Sequence, residues 1–142
     1  MAPLAYSDDL IRDVLTGVRT IAVVGASPKP ERASFYVARF LAERGYEVFA
    51  VNPGHAGARI AGLPTFARLG DIPQAIDMVD VFRASEHVGT VVEEALALGP
   101  RPKVIWTQLD VRDDAAAARA EAEGVTVIMD RCPKIEIARL GL

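Results

Sequence analysis

Thr20-Ile21-Ala22-Val23-Val24-Gly25-Ala26-Ser27-Pro28-Lys29-Pro30-Glu31-Arg32-Ala33-Ser34 is the stretch on which the reading of the whole chain turns. Its first five residues are apolar or β-branched and show no alternation with polar ones. A run of that kind predicts a strand covered on both faces, as in a parallel sheet. Gly25 then permits a tight turn and a close backbone approach. After a polar loop, Phe35, Val37, Ala38, Phe40 and Leu41 fall at helical spacing, and Gly45 ends the helix. A strand, a glycine turn and a helix start place free amides and a helix dipole where they can hold an anion. Ser27 offers a hydroxyl to a phosphate oxygen, and Ser34 lies near the helix start. Lys29 and Arg32 have two open readings: they screen phosphate charge, or they are ordinary solvated loop cations. The loop lacks a full G-x-G-x-x-G, so the motif alone is weak.

The pattern repeats on either side. Ser7 is placed to cap a first helix carrying Leu10, Ile11, Val14 and Leu15, with Gly17 as its stop. Tyr46 to Val51 reads as a second strand, ended by Asn52-Pro53-Gly54. Gly54 to Gly70 reads as loop with a short strand near Ile60, and Asp71-Ile72-Pro73 as the cap of a short helix. Met78 to Phe82 is the third main strand, followed by a helix capped by Ser85 and ended at Gly99-Pro100. Lys103 to Thr107 is the fourth, followed by an alanine-rich helix capped by Asp110. Val125 to Met129 is the fifth, with a short helix after Pro133. Strands alternating with helical segments predict right-handed βαβ units. The expected fold is α/β: a three-layer, doubly wound sheet of about five parallel strands with helices on both faces.

The chain's 142 residues suit one domain, expected to span 1–142 with its core at about 17–138. Basic and acidic residues are interspersed to a net charge of −3, without the cationic stripe that a nucleic-acid backbone demands. No apolar run approaches the ~18 residues of a membrane span. Asp8, Asp9 and Asp13 make a secretory leader an unsuitable reading of the first residues. The single cysteine, Cys132, cannot form an internal disulfide, so a cytoplasmic location is expected.

In open parallel sheets ligands bind at the carboxyl ends of the strands. Those ends read Gly25-Ala26-Ser27, Asn52-Pro53-Gly54, Phe82-Arg83, Thr107-Gln108 and Asp130-Arg131-Cys132. All five carry small, polar or special-backbone residues directly after an apolar run. A nicotinamide cofactor is disfavoured, because NAD-binding domains usually end their second strand with Asp or Glu and this chain has Asn52.

These segments, together with Gly62-Leu63-Pro64, Asp71-Ile72-Pro73, Asp80-Val81-Phe82-Arg83, Trp106-Thr107-Gln108 and Asp130-Arg131-Cys132-Pro133, resemble in that order the CoA-binding domain family. This Rossmann-like module also forms the N-terminal part of the succinyl-CoA synthetase α subunit, and the present chain looks most like the small stand-alone members. The resemblance covers about residues 17–138. It implies coenzyme A, or an acyl-CoA, as the ligand. It places Gly25, Ser27 and Ser34 on the phosphates, and Asn52, Pro53 and the Gly54-His55 pair along the nucleotide end. Val81, Phe82 and Arg83 would cross the middle of the ligand; Trp106, Thr107 and Gln108 would approach the pantetheine arm. The synthetase has a lysine after its second strand where this chain has His55, which leaves Arg59 and Arg83 as candidates for the ribose phosphate.

Synthetase chemistry is not expected, since the phosphorylated histidine of that enzyme lies in a further domain. Cys132 is the one candidate nucleophile, beside Asp130 and Arg131 where a CoA thiol would end. It is read either as a thiol activated by arginine or as a thiol that merely lines pocket or core. Neither His55 nor His87 is placed as its base, and no metal-ligand spacing is present. The expected function is therefore a CoA-binding module without catalytic machinery or a nucleic-acid partner. The alternatives are an NAD(P)-dependent oxidoreductase and an interaction protein with a vestigial nucleotide pocket.

Overall fold

The 20–24 stretch lies at the middle of the sheet. In the computed structural model, which describes residues 2–142, α1 (Asp8–Gly17) precedes β1 (Thr20–Val24), and α2 (Ala33–Glu43) leads into β2 (Glu47–Val51). A hairpin of β3 (Arg59–Ile60) and β4 (Leu63–Phe66) follows, then β5 (Met78–Val81) and α3 (Val88–Leu96). The chain closes with β6 (Val104–Thr107), α4 (Asp114–Ala122), β7 (Thr126–Ile128) and α5 (Pro133–Leu140). The strand order is β3-β4-β2-β1-β5-β6-β7. Every pairing is parallel except that of β3 with β4.

The expected α/β fold is thus present, with one strand beyond the five main strands and the short strand near Ile60 that the sequence predicts. The short strand near Ile60 exists, and its antiparallel partner lies in residues whose pattern predicts loop. Leu63-Pro64-Thr65-Phe66 has neither the length nor the alternation of a free-standing strand. It forms because β2 offers an edge, with Ala50 opposite Thr65 and Val51 opposite Phe66.

Both faces of the sheet are covered. Ala22, Val24, Val79, Val81, Ile105 and Val127 point to the layer of α3 and α4. Ile21, Val23, Met78, Val104, Trp106 and Ile128 point to the layer of α1, α2 and α5. Successive strand residues face opposite sides, so strands with two covered faces must be continuously apolar. Each buried Val, Leu or Ile contributes roughly 1.5–3 kcal/mol relative to exposure. The N-terminal arm is fastened just past the end of β7: the Met129 amide donates to Tyr6 Oη at 3.0 Å, and Arg131 donates to the Leu4 carbonyl at 3.1 Å. Among the described residues no helix is long and apolar enough to cross a membrane.

Several helix starts differ from their expected form. Ser7 does cap α1, accepting the Leu10 amide at 3.1 Å. The cap of α4 is Asp113, accepting the Ala116 amide at 3.0 Å, while Asp110 adopts a left-handed turn with φ +67°. Ser85 lies in a 3-10 turn before α3, and its hydroxyl accepts the Arg112 amide at 2.9 Å. No helix begins at Pro73; a 3-10 turn, Leu69–Asp71, ends before it. At α4 the neighbouring Asp113 takes the cap, whereas Ser85 is drawn to the Arg112 amide and α3 starts without a side-chain cap.

Candidate functional site

The chain runs outward from β1 to β2 and the hairpin, then returns to β5 on the other side of β1. The two crossovers part there, which opens a crevice at the carboxyl ends of β1 and β5. Gly25 stands at its rim with φ +85°. A Cβ at this position would stand 2.9 Å from Arg83 Cγ and 3.3 Å from the Phe82 carbonyl carbon. Both the left-handed backbone and the approach of β5 therefore require glycine.

The loop beyond is held by its own serines. The Ser27 amide donates to Ser34 Oγ at 3.0 Å, and the Lys29 amide donates to Ser27 Oγ at 3.1 Å. Each hydroxyl thus accepts one bond and keeps its own proton to donate. The helix they lead into, α2, has Arg32 at its cap position and no side-chain cap, so its first amides are left to another acceptor.

Two clefts flank Gly25. The first, about 390 Å³, is lined by Gly25, Ser27, Lys29, Arg32, Ala33, Ser34 and Phe82. The second, about 380 Å³, lies on the other side and is lined by Gly25, Ala26, Asn52, Pro53, Arg68, Arg83, Thr90 and Glu94, among others. Asn52 ties the loops together. Its Nδ2 donates to the Ala26 carbonyl at 2.8 Å and its Oδ1 accepts the Gly54 amide at 2.9 Å. Its own amide donates to the Phe66 carbonyl at 2.9 Å. Asn52→Ala removes both side-chain bonds and is expected to cost about 1–3 kcal/mol, read as a lower urea midpoint at unchanged slope.

Below the first cleft lies an unusual pair. Asp80 of β5 is completely buried, neither carboxylate oxygen has a hydrogen-bond partner, and burial pushes its carboxyl well above the ordinary range. Gln108, just past β6, is also buried, and its Oε1 has no partner. At the far side of the crevice Asp110 and Asp130 both have positive φ, +67° and +58°, and the Asp110 amide donates to Asp130 Oδ1 at 2.7 Å.

The residues singled out by sequence therefore fall into three groups. Gly25, Ser27, Lys29, Arg32, Ser34 and Phe82 meet in the first cleft, and Gly25, Ala26, Asn52, Pro53 and Arg83 in the second. Val81, Trp106, Gln108 and Cys132 line neither. Val81 and Trp106 are fully buried, and the indole of Trp106 donates to the Arg131 carbonyl at 2.9 Å. Cys132 is buried at the cap position of α5. Strand alternation turns Val81 into the layer of α3 and α4 and Trp106 into that of α1, α2 and α5, where Cys132 also packs. His55 is exposed on a 3-10 turn outside both clefts. Arg59 donates to the Gly62 carbonyl at 2.9 Å within its own hairpin, which leaves Arg83 as the cleft-lining member of that pair. Arg68, Thr90 and Glu94 were not singled out, because a loop cation and the polar face of a helix carry no local signal of a site.

Comparison with known proteins follows the same lines. A family model described as a CoA binding domain matches residues 19–138. An uncharacterized protein of Bacillus subtilis, YneT, is 37% identical over 125 residues, which is 88% of this chain and 90% of that one. The solved structure of a hypothetical protein from Pyrococcus horikoshii has a TM-score of 0.90 at 34% identity, covering 100% of both chains. A Thermus thermophilus protein gives 0.88 at 36% identity, covering 95% of this chain and 99% of that one.

Proposed function

This chain belongs to the CoA binding domain family, and we propose that it binds coenzyme A or an acyl-CoA across the carboxyl ends of its parallel strands without catalysing a reaction of its own. The observation that carries this reading is the pair of clefts meeting at Gly25. An elongated ligand with phosphates at two places along its length suits two adjoining clefts better than one compact pocket does. The first cleft supports a pyrophosphate: uncapped α2 amides, the free hydroxyl protons of Ser27 and Ser34, and Lys29 and Arg32. The second supports a nucleotide end, with Asn52 and Pro53 on its wall and Arg83 available to a ribose phosphate.

Absence of catalysis is part of the proposal. The thiol of Cys132 is buried at the head of α5 and no histidine lines either cleft, so a nucleophile with its base is not assembled around the ligand path.

Calorimetric titration with CoA, with acetyl-CoA, NAD and NADP as competitors, tests this. Micromolar or tighter CoA binding is expected, indifferent to NAD. Ser27→Glu sets a carboxylate against the phosphates and is expected to weaken binding on the order of 100-fold. NAD(P) binding without CoA binding would instead make the protein an oxidoreductase candidate. No binding by any of the four would point to an interaction protein.

A further inference from the structure

Three buried side-chain oxygens lack a partner among the described residues: both carboxylate oxygens of Asp80 and Oε1 of Gln108. They lie on adjacent strands. Asp80 stands opposite Trp106, and the ladder continues past β6 because the Gln108 amide donates to the Val81 carbonyl at 3.0 Å. Asp80 and Gln108 are therefore a diagonal pair one pleat apart, on the face that Trp106 shares, and a long side chain spans that separation. Phe82, two residues beyond Asp80 on the same face, lines the first cleft.

Adding one proton pairs two of the three: one Asp80 oxygen becomes a donor and Gln108 Oε1 its acceptor, while the other Asp80 oxygen is left as a neutral carbonyl. A protonated carboxyl has one O–H to give, and the amide oxygen of Gln108 is the buried acceptor that lacks one. We propose that Asp80 is present as the neutral acid and donates its proton to Gln108 Oε1, making Asp80 a positioning residue that holds the Gln108 amide beside the first cleft. The surroundings agree. Burial is the sole cause acting on the Asp80 carboxyl, with no neighbouring charge to hold it ionised. The ionisable groups that α1, α2 and α5 bury on this face are Cys132 and Glu136. Glu136 is already held by Arg139 at 2.7 Å and by Arg131 at 3.8 Å. An ionised Asp80 would be an uncompensated buried charge, and an apolar residue there would leave Gln108 unpaired.

The part of this inference that concerns ligand rests on the proposed CoA binding; the hydrogen bond itself does not. Infrared difference spectra of wild type against Asp80→Asn at neutral pH are expected to show the carbonyl band of a protonated carboxyl, shifted in a Gln108→Met background. An ionised carboxylate at neutral pH, or a band that Gln108→Met leaves unmoved, would overturn the proposal. In the binding assay Asp80→Asn, whose amide can donate in the acid's place, is expected to stay within about threefold of wild type. Asp80→Leu, folded by circular dichroism, is expected to lose about tenfold; wild-type affinity in that variant would also overturn the positioning role. Wild-type protein that shows the band and binds no CoA would count against the proposed function alone.

Discussion

Gly25→Val is expected to destabilise the protein by about 3 kcal/mol and to abolish ligand uptake. Two costs add at this position. The backbone holds φ at +85°, where an L residue with a branched Cβ is strained by roughly 1–2 kcal/mol. The new Cβ also meets Arg83 Cγ at 2.9 Å and the Phe82 carbonyl carbon at 3.3 Å. The arginine stem can swing away, but Phe82 cannot, because its amide donates to the Val24 carbonyl at 2.9 Å in the β1–β5 ladder. The strain is relieved only by parting the two strands whose divergence forms the crevice. Urea unfolding and CoA calorimetry on the same preparation measure both consequences. A variant with the wild-type midpoint would show that the approach of β5 to Gly25 is slack.

Asp80→Asn is expected to stabilise the protein, by an amount that grows with pH. The folded carboxyl titrates well above the ordinary 3.8, whereas in the unfolded chain it titrates near that value. Above about pH 4 the folded state therefore binds more protons than the unfolded state at this site. The contribution is fully present below the unfolded value and is lost as pH rises through the folded one. The loss is about 1.4 kcal/mol per pH unit across that window. Asparagine has nearly the same shape, no proton to lose, and amide hydrogens to offer Gln108. Guanidinium unfolding of wild type and variant from pH 5 to pH 8 is expected to give stabilities that diverge in the variant's favour as pH rises. Parallel pH dependences would mean that Asp80 is reached by water or by a cation, and that the buried acid is not neutral.

The five main strands and the helices between them were legible because their information is local. A covered strand must be apolar along its length, a helix must repeat its apolar residues every third or fourth position, and Gly25 or Gly45 must stand where the chain turns. Each of these constraints acts within a few residues. The phosphate-loop half of the candidate site was legible for the same reason, since Gly25, Ser27 and Ser34 are near neighbours around one turn.

What lay outside the reach of pattern was everything set by register and by competition. Leu63 to Phe66 became a strand because β2 presented an edge, and Asp113 took the cap of α4 while Asp110 turned toward Asp130. Arg68 and Glu94 joined Asn52 and Arg83 in one cleft across wide gaps in sequence. Asp80 shows the difference most sharply. As a letter in Met78-Val79-Asp80-Val81-Phe82 it is one polar residue in an apolar run. Only the pairing of β5 between β1 and β6 sets it between Val23 and Trp106, away from water and one pleat from Gln108. Burial and partnership are properties of strands side by side, and a single strand's composition does not contain its neighbours.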